Sequence, residues 1–74
     1  MKNSIDKLIE VANKEYDGHF TLLKFTTNWR CSFGTVNDTL AASYYMAKGK
    51  TMNEAIENCL KDNINSYDIY QQKN

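Results

Sequence analysis

The apolar pattern of this chain changes period at Gly18, and that change dictates a mixed architecture. From Ser4 to Tyr16 the apolar residues Ile5, Leu8, Ile9, Ala12 and Tyr16 recur at helical spacing. Asn3 or Ser4 can cap this helix, Asp6 sits in the first turn where the dipole favours an anion, and Gly18 supplies the stop. From His19 to Thr35 the apolar residues Phe20, Leu22, Leu23, Phe25, Trp29, Cys31 and Phe33 stand among threonines, which is β-hairpin composition. A helical stripe returns with Met52, Ala55, Ile56, Cys59, Leu60 and Ile64. It opens on the capping box Thr51-Met52-Asn53-Glu54, whose two side chains satisfy backbone N–H groups that the first turn leaves over.

Residues 36–50 admit two readings. Leu40, Ala41, Ala42, Tyr44, Tyr45 and Met46 fit a short helix capped by Asn37 or Asp38 and stopped by Gly49, which the alanines favour. Ala42 to Ala47 also fits a third strand, which the paired tyrosines favour. The expected fold is therefore α+β: an antiparallel hairpin or three-stranded sheet with N- and C-terminal helices packed on one face, in the order α-β-β-(α or β)-α. Residues 1–66 form one domain, and 67–74 a tail that extends the last helix or stays disordered.

The hairpin turn decides which side chains share a face. A three-residue loop, Thr26-Thr27-Asn28, uses the tolerance of Asn for the left-handed conformation. It pairs Phe25 with Trp29, Leu23 with Cys31 and Thr21 with Phe33. Phe20, Leu22, Lys24, Arg30 and Ser32 then point the other way, because one residue of slip inverts a strand. The expected core is Ile5, Leu8, Ile9, Ala12, Leu23, Phe25, Cys31, Phe33, Ala55, Ile56, Cys59 and Leu60.

A chain of 74 residues buries only about 60% of its unfolded surface, so small domains of this size lean on staples or partners. Two cysteines and one histidine fall short of the four ligands usual in a structural zinc site, and no cofactor is expected. Nine Lys/Arg balance nine Asp/Glu, without the basic excess of a dedicated nucleic-acid binder. No apolar leader follows Met1-Lys2-Asn3-Ser4, and no apolar run approaches the roughly 20 residues that span a bilayer. A cytoplasmic chain with no membrane partner and reduced thiols is expected.

Chemistry has few candidates. His19, Asp17 and Cys31 outline a conceivable Cys-His-Asp group, but Cys31 and Cys59 lie in apolar stripes and read as small core residues. A Cys31–Cys59 disulfide is a second option for the same pair. Gly49-Lys50-Thr51 ends like a phosphate loop without its glycine-rich start, leaving a helix N-terminus flanked by Lys48 and Lys50 as an anion contact. No small-molecule substrate is indicated, and the expectation is not an enzyme. The most informative surface is the outward hairpin face, Phe20, Leu22, Lys24 and Arg30 with Trp29 near its tip, extended by Lys48 and Lys50. Aromatics beside Arg and Lys suit a protein interface and can also stack bases and meet phosphates.

The runs Asp17-Gly18-His19-Phe20-Thr21, Phe25-Thr26-Thr27-Asn28-Trp29-Arg30 and Phe33-Gly34-Thr35, with Gly49-Lys50-Thr51 ahead of Glu54-Ala55, resemble small phage- and prophage-associated proteins. That group has no established activity, so the resemblance implies a viral accessory setting in a host cytoplasm. The element order is also similar to double-stranded-RNA-binding-like folds, including the antitoxin half of HicA–HicB-type pairs. The expected function, motivated by apolar surface in excess of what one core can hide, is a small non-enzymatic interaction module, a phage accessory protein that binds a host protein or a second copy of itself as a homodimer. The alternative is a nucleic-acid-binding or antitoxin-like module using the basic and aromatic hairpin face.

Overall fold

The structure, a computed structural model, describes residues 3–37 and 42–72. Helix α1 (Ser4–Glu15) leads into strands β1 (Phe20–Lys24) and β2 (Trp29–Phe33). A short 3₁₀ turn, Ser43–Tyr45, precedes β3 (Ala47–Gly49), α2 (Met52–Asp62) and α3 (Ser66–Gln72). The fold is α+β, with a three-stranded antiparallel sheet in the order β1-β2-β3. A helical turn over Ser43–Tyr45 is followed by a short strand that begins only at Ala47, so the third strand lies later than the expected Ala42 to Ala47 and Gly49 belongs to it instead of stopping a helix. The suggested cap Asp38, with Leu40 and Ala41, lies outside the described residues.

The helix ends follow their sequence signals. Asn3 caps α1 by accepting the Asp6 N–H at 3.1 Å. Beyond Tyr16, Asp17 (φ 54°) and Gly18 (φ 83°) reverse the chain, and the Gly18 N–H reaches back to the Ala12 carbonyl at 2.8 Å. Thr51 caps α2 by accepting the Glu54 N–H at 3.1 Å. The Glu54 carboxylate accepts from Lys50 N–H at 3.2 Å, one residue earlier than a standard capping box. Asn63, left-handed at φ 54°, ends α2 and starts a turn into a separate final helix, α3. Its Ile69 is only 2% exposed, so α3 is a packed element.

Helices α1 and α2 lie side by side on one face of the sheet, α1 over β1 and α2 over β2 and β3. Ser4 meets Asn53 at their starts and Tyr16 meets Asn63 at their ends, so the two run parallel. They close a core of Leu8, Ala12, Cys31, Phe33, Ala47, Ala55, Ile56 and Cys59. Gly49 lets β3 tuck beneath α2, because a Cβ there would stand 2.3 Å from the Ala55 backbone nitrogen. Beyond Cys31, β3 gives way to Asn65, which bridges Phe33 in parallel while the Phe33 N–H donates to the Ile64 carbonyl at 2.9 Å.

The hairpin register differs from the expected one by a residue. Phe20 opposes Phe33, Leu22 opposes Cys31 and Lys24 opposes Trp29. The Phe25 N–H donates to the Asn28 carbonyl at 2.8 Å, so the reversal is made by Thr26 and Thr27 alone. Asn28 has no positive φ; its side-chain oxygen instead accepts from Arg30 Nε at 2.7 Å. That use of the amide replaces the left-handed turn on which the three-residue loop depended. The slip leaves β2 facing as expected and inverts β1. Phe20 and Leu22 therefore pack against the helix-covered core, whereas Leu23 turns to the opposite face. Phe25 and Ile9, expected in the core, are exposed.

The opposite face is also covered. Val36, Ala42, Met46 and Ile69 form a second buried cluster against which Leu23 and Ile64 pack. Thr21 pins this layer to β1: its hydroxyl donates to the Gly34 carbonyl at 2.9 Å and accepts the Val36 N–H at 3.3 Å. The two helices expected on one face are found there, and α3 with the described chain before it adds a second layer on the other.

Candidate functional site at the hairpin end

The sequence-predicted binding residues do not form one surface. Phe20, Leu22 and Trp29 are partly buried against the helix-covered core, so the expected outward placement of Phe20 and Leu22 is corrected. Lys24 stands opposite Trp29 with its ammonium 5.8 Å from the indole centroid, and its Nζ also meets the Phe25 carbonyl. Lys50 is exposed just ahead of the α2 cap. Only Arg30 and Lys48 remain together on the outward side, as directly opposed cross-strand neighbours.

Arg30 organises this end of the sheet. Its Nε donates to Asn28 Oδ1 and a terminal nitrogen donates to the Ser43 carbonyl, so one side chain ties the hairpin turn to the 3₁₀ turn. Its guanidinium also lies 5.8 Å from the Phe25 ring centroid. Tyr44, 83% exposed, and Tyr45 follow Ser43 directly. The Phe25 ring thus lies beside a guanidinium held by neutral acceptors, with Lys48 across the strand and the exposed Tyr44 and Tyr45 next in the chain to the Ser43 that accepts from it. Sequence reasoning missed Phe25, Tyr44 and Tyr45 as surface residues. The paired tyrosines were the available signal, since Ala42 is buried where Tyr44 is not.

The proposed Cys-His-Asp group is not assembled. Cys31 is fully buried, whereas His19 is exposed and lines a cavity at the other end of the sheet. Cys31 and Cys59 are free thiols. The hydrogen bond to Cys59, reinforced by burial, pushes the Cys31 thiol well above the ordinary range. No group of three or more His, Cys, Asp or Glu among the described residues is placed to hold a metal ion. No helix among them is long and apolar enough to cross a membrane.

Two concave surfaces lie away from the hairpin. A groove of about 650 Å³ runs between α1 and α2, with Val11 and Leu60 within it and Lys7, Glu15, Glu57 and Lys61 also lining it. A cavity of about 540 Å³ lies where α1 ends beside α3. Burial raises the phenol of Tyr16 in its wall; the Asn63 hydrogen bond opposes this, and the carboxylates of Glu15 and Asp68 add to it. Comparison with protein-family models, curated proteins and solved structures finds no match to this chain.

Proposed function

We propose that this chain is a non-enzymatic protein-interaction module that works by occupying a surface on another protein through its hairpin end. The observation that carries the reading is the exposed Phe25 beside the tethered Arg30, with the exposed Tyr44 and Tyr45 following the Ser43 to which Arg30 is bound. Aromatic and arginine side chains are the usual energetic anchors of protein interfaces. Here the arginine is already fixed by two hydrogen bonds, so little side-chain entropy remains to be lost on docking. The resemblance to phage-associated proteins supplies the setting, a viral accessory protein in a host cytoplasm with a host protein as target.

The test is a photo-cross-linking residue placed at Tyr44, used in host lysate beside the same chain carrying Phe25→Ala and Tyr45→Ala. One discrete cross-linked product, lost in the double variant while its thermal midpoint is kept, supports the reading. Products that are equally abundant in the double variant discard this surface.

A second reading has its own observation: Arg30 and Lys48 oppose each other on one face beside Phe25, an arrangement that an anionic backbone would relieve. Anisotropy titrations with single- and double-stranded DNA and RNA at about 50 and 200 mM salt separate the two. Binding that falls steeply with salt and is lost in Lys48→Glu favours nucleic acid. No binding at the lower salt removes it.

A further inference from the structure

We infer that the cavity between the end of α1 and α3 receives the cationic side chain of a lysine or arginine. This rests on the interaction reading in one respect, that the side chain belongs to a polypeptide, but uses a surface at the opposite end of the sheet. The cavity, about 540 Å³, is lined by Tyr16, Tyr67 and Tyr70, three of the five tyrosines in the chain, with Glu15, Asp17 and His19. Among the described residues, no lysine or arginine lines it. Aromatic walls beside carboxylates favour an alkylammonium or a guanidinium over an anion or a neutral apolar group.

The walls are set in place before any ligand arrives. Tyr16 stacks on Phe33 at 4.5 Å between centroids with planes 9° apart, and its hydroxyl donates to Asn63 Oδ1 at 2.8 Å. The Tyr70 hydroxyl accepts the Asn37 N–H at 2.7 Å. Gly34, left-handed at φ 80°, brings the end of β2 so close to α3 that a Cβ would stand 2.2 Å from Ser66 Oγ. The left-handed pair Asp17 and Gly18 ends α1 here, so Glu15, Asp17 and His19 reach the cavity from one reversal. Tyr67 is 72% exposed, a large side chain that the fold leaves uncovered beside this cavity. Three motifs from separate parts of the sequence, around Gly18, Gly34 and Tyr67, meet only here.

The experiment titrates the isotope-labelled full chain with Nα-acetyl-lysine amide, Nα-acetyl-arginine amide and the uncharged Nα-acetyl-norleucine amide, read by amide NMR shifts. Saturable shifts centred on Gly34, Thr35 and Tyr67 with the two cations, and none with norleucine, are expected. Glu15→Gln with Asp17→Asn weakens the response at least tenfold; both residues are exposed, and Asn tolerates the left-handed position, so the fold is kept. Tyr67→Ala gives a separate loss through the aromatic wall. A dilution series without probe distinguishes the source: concentration-dependent shifts at the same amides assign the cation to a second copy, and a flat series assigns it to another protein. No response to either cation, an equal response to norleucine, or full affinity in the carboxamide double variant overturns the inference. These probes do not engage Phe25, Tyr44 or Tyr45, so failure here leaves the hairpin-end reading standing, and failure there leaves this one.

Discussion

On one face of the sheet, two capped helices of 12 and 11 residues bury Leu8, Ala12, Phe33, Ala55, Ile56 and both cysteines. On the other, the described chain after β2, with a 3₁₀ turn and a seven-residue helix, buries Val36, Ala42, Met46 and Ile69. The first covering brings long regular elements whose own hydrogen bonds satisfy the backbone they bury. The second brings, among the described residues, only short elements, fastened at single points such as Thr21, Arg30 and Asn65. Stability should therefore concentrate on the helical side, while the surface elements most open to contact belong to the thinner one.

The comparison breaks or holds most visibly in the cores. Phe33→Ala should cost about 3–5 kcal/mol, because its ring is fully buried in the helix-covered core and stacks on Tyr16. Ile69→Ala should cost nearer about 2 kcal/mol, since the thin layer can settle into the space left behind. A domain of this length has only about 4–11 kcal/mol in total, at roughly 0.05–0.15 per residue, so the first change threatens the fold and the second does not. Urea denaturation gives both values, and hydrogen exchange should show α3 amides opening below the global free energy in Ile69→Ala. Equal losses at the two sites would remove the distinction between the layers.

The same asymmetry governs how much the sequence disclosed. Helices α1 and α2 were legible because spacing, caps and stops agreed, from Asn3 and Thr51 to Gly18. The buried set Leu8, Ala12, Cys31, Phe33, Ala55, Ile56 and Cys59 followed from that. The facing of strand β1 was not legible, because Phe20, Leu22 and Leu23 supply apolar side chains to both parities and both faces are covered. With no polar face to fix it, the register rested on the turn, and there Asn28 bonds Arg30 rather than turning left-handed. The second layer lacks any period to read: Val36, Ala42, Met46 and Ile69 are scattered through four local contexts. The binding set built on the expected parity consequently came apart, with Arg30 and Lys48 left together by the β2–β3 pairing.

A smaller effect tests whether the helix-covered core is as dry as its burial implies. Cys31 is held as the neutral thiol in the native state by Cys59 and by burial. The unfolded chain releases that proton at the ordinary thiol value, 9.0. Above it the unfolded state binds fewer protons than the native one, so the Cys31 contribution is intact below pH 9 and falls as pH rises, whereas the same hydrogen bond lowers the Cys59 thiol and acts in the opposite sense below pH 9. The loss attributable to Cys31 should approach about 1.4 kcal/mol per pH unit. Denaturation midpoints at several pH values, compared between the wild type and Cys31→Ala, isolate it from the tyrosines and lysines that titrate nearby. Parallel curves for the two chains would mean that water reaches the thiol.

The smallest expected effect probes a single fastening of the thin layer. Arg30 joins Asn28 to the Ser43 carbonyl, so removing it should loosen the turn that begins the layer while leaving the helical core untouched. Arg30→Gln should cost about 1 kcal/mol, the usual net value of a partly exposed hydrogen-bonded side chain. Arg30→Lys keeps the charge but not the fork that reaches both acceptors, and should lose nearly as much. The local readout is the Met46 N–H, which donates to the same Ser43 carbonyl at 3.3 Å; its exchange should quicken in both variants while α2 amides hold their rate. If lysine restores both stability and slow exchange, charge rather than geometry fastens the layer, and the guanidinium loses its place as the fixed centre of the aromatic surface.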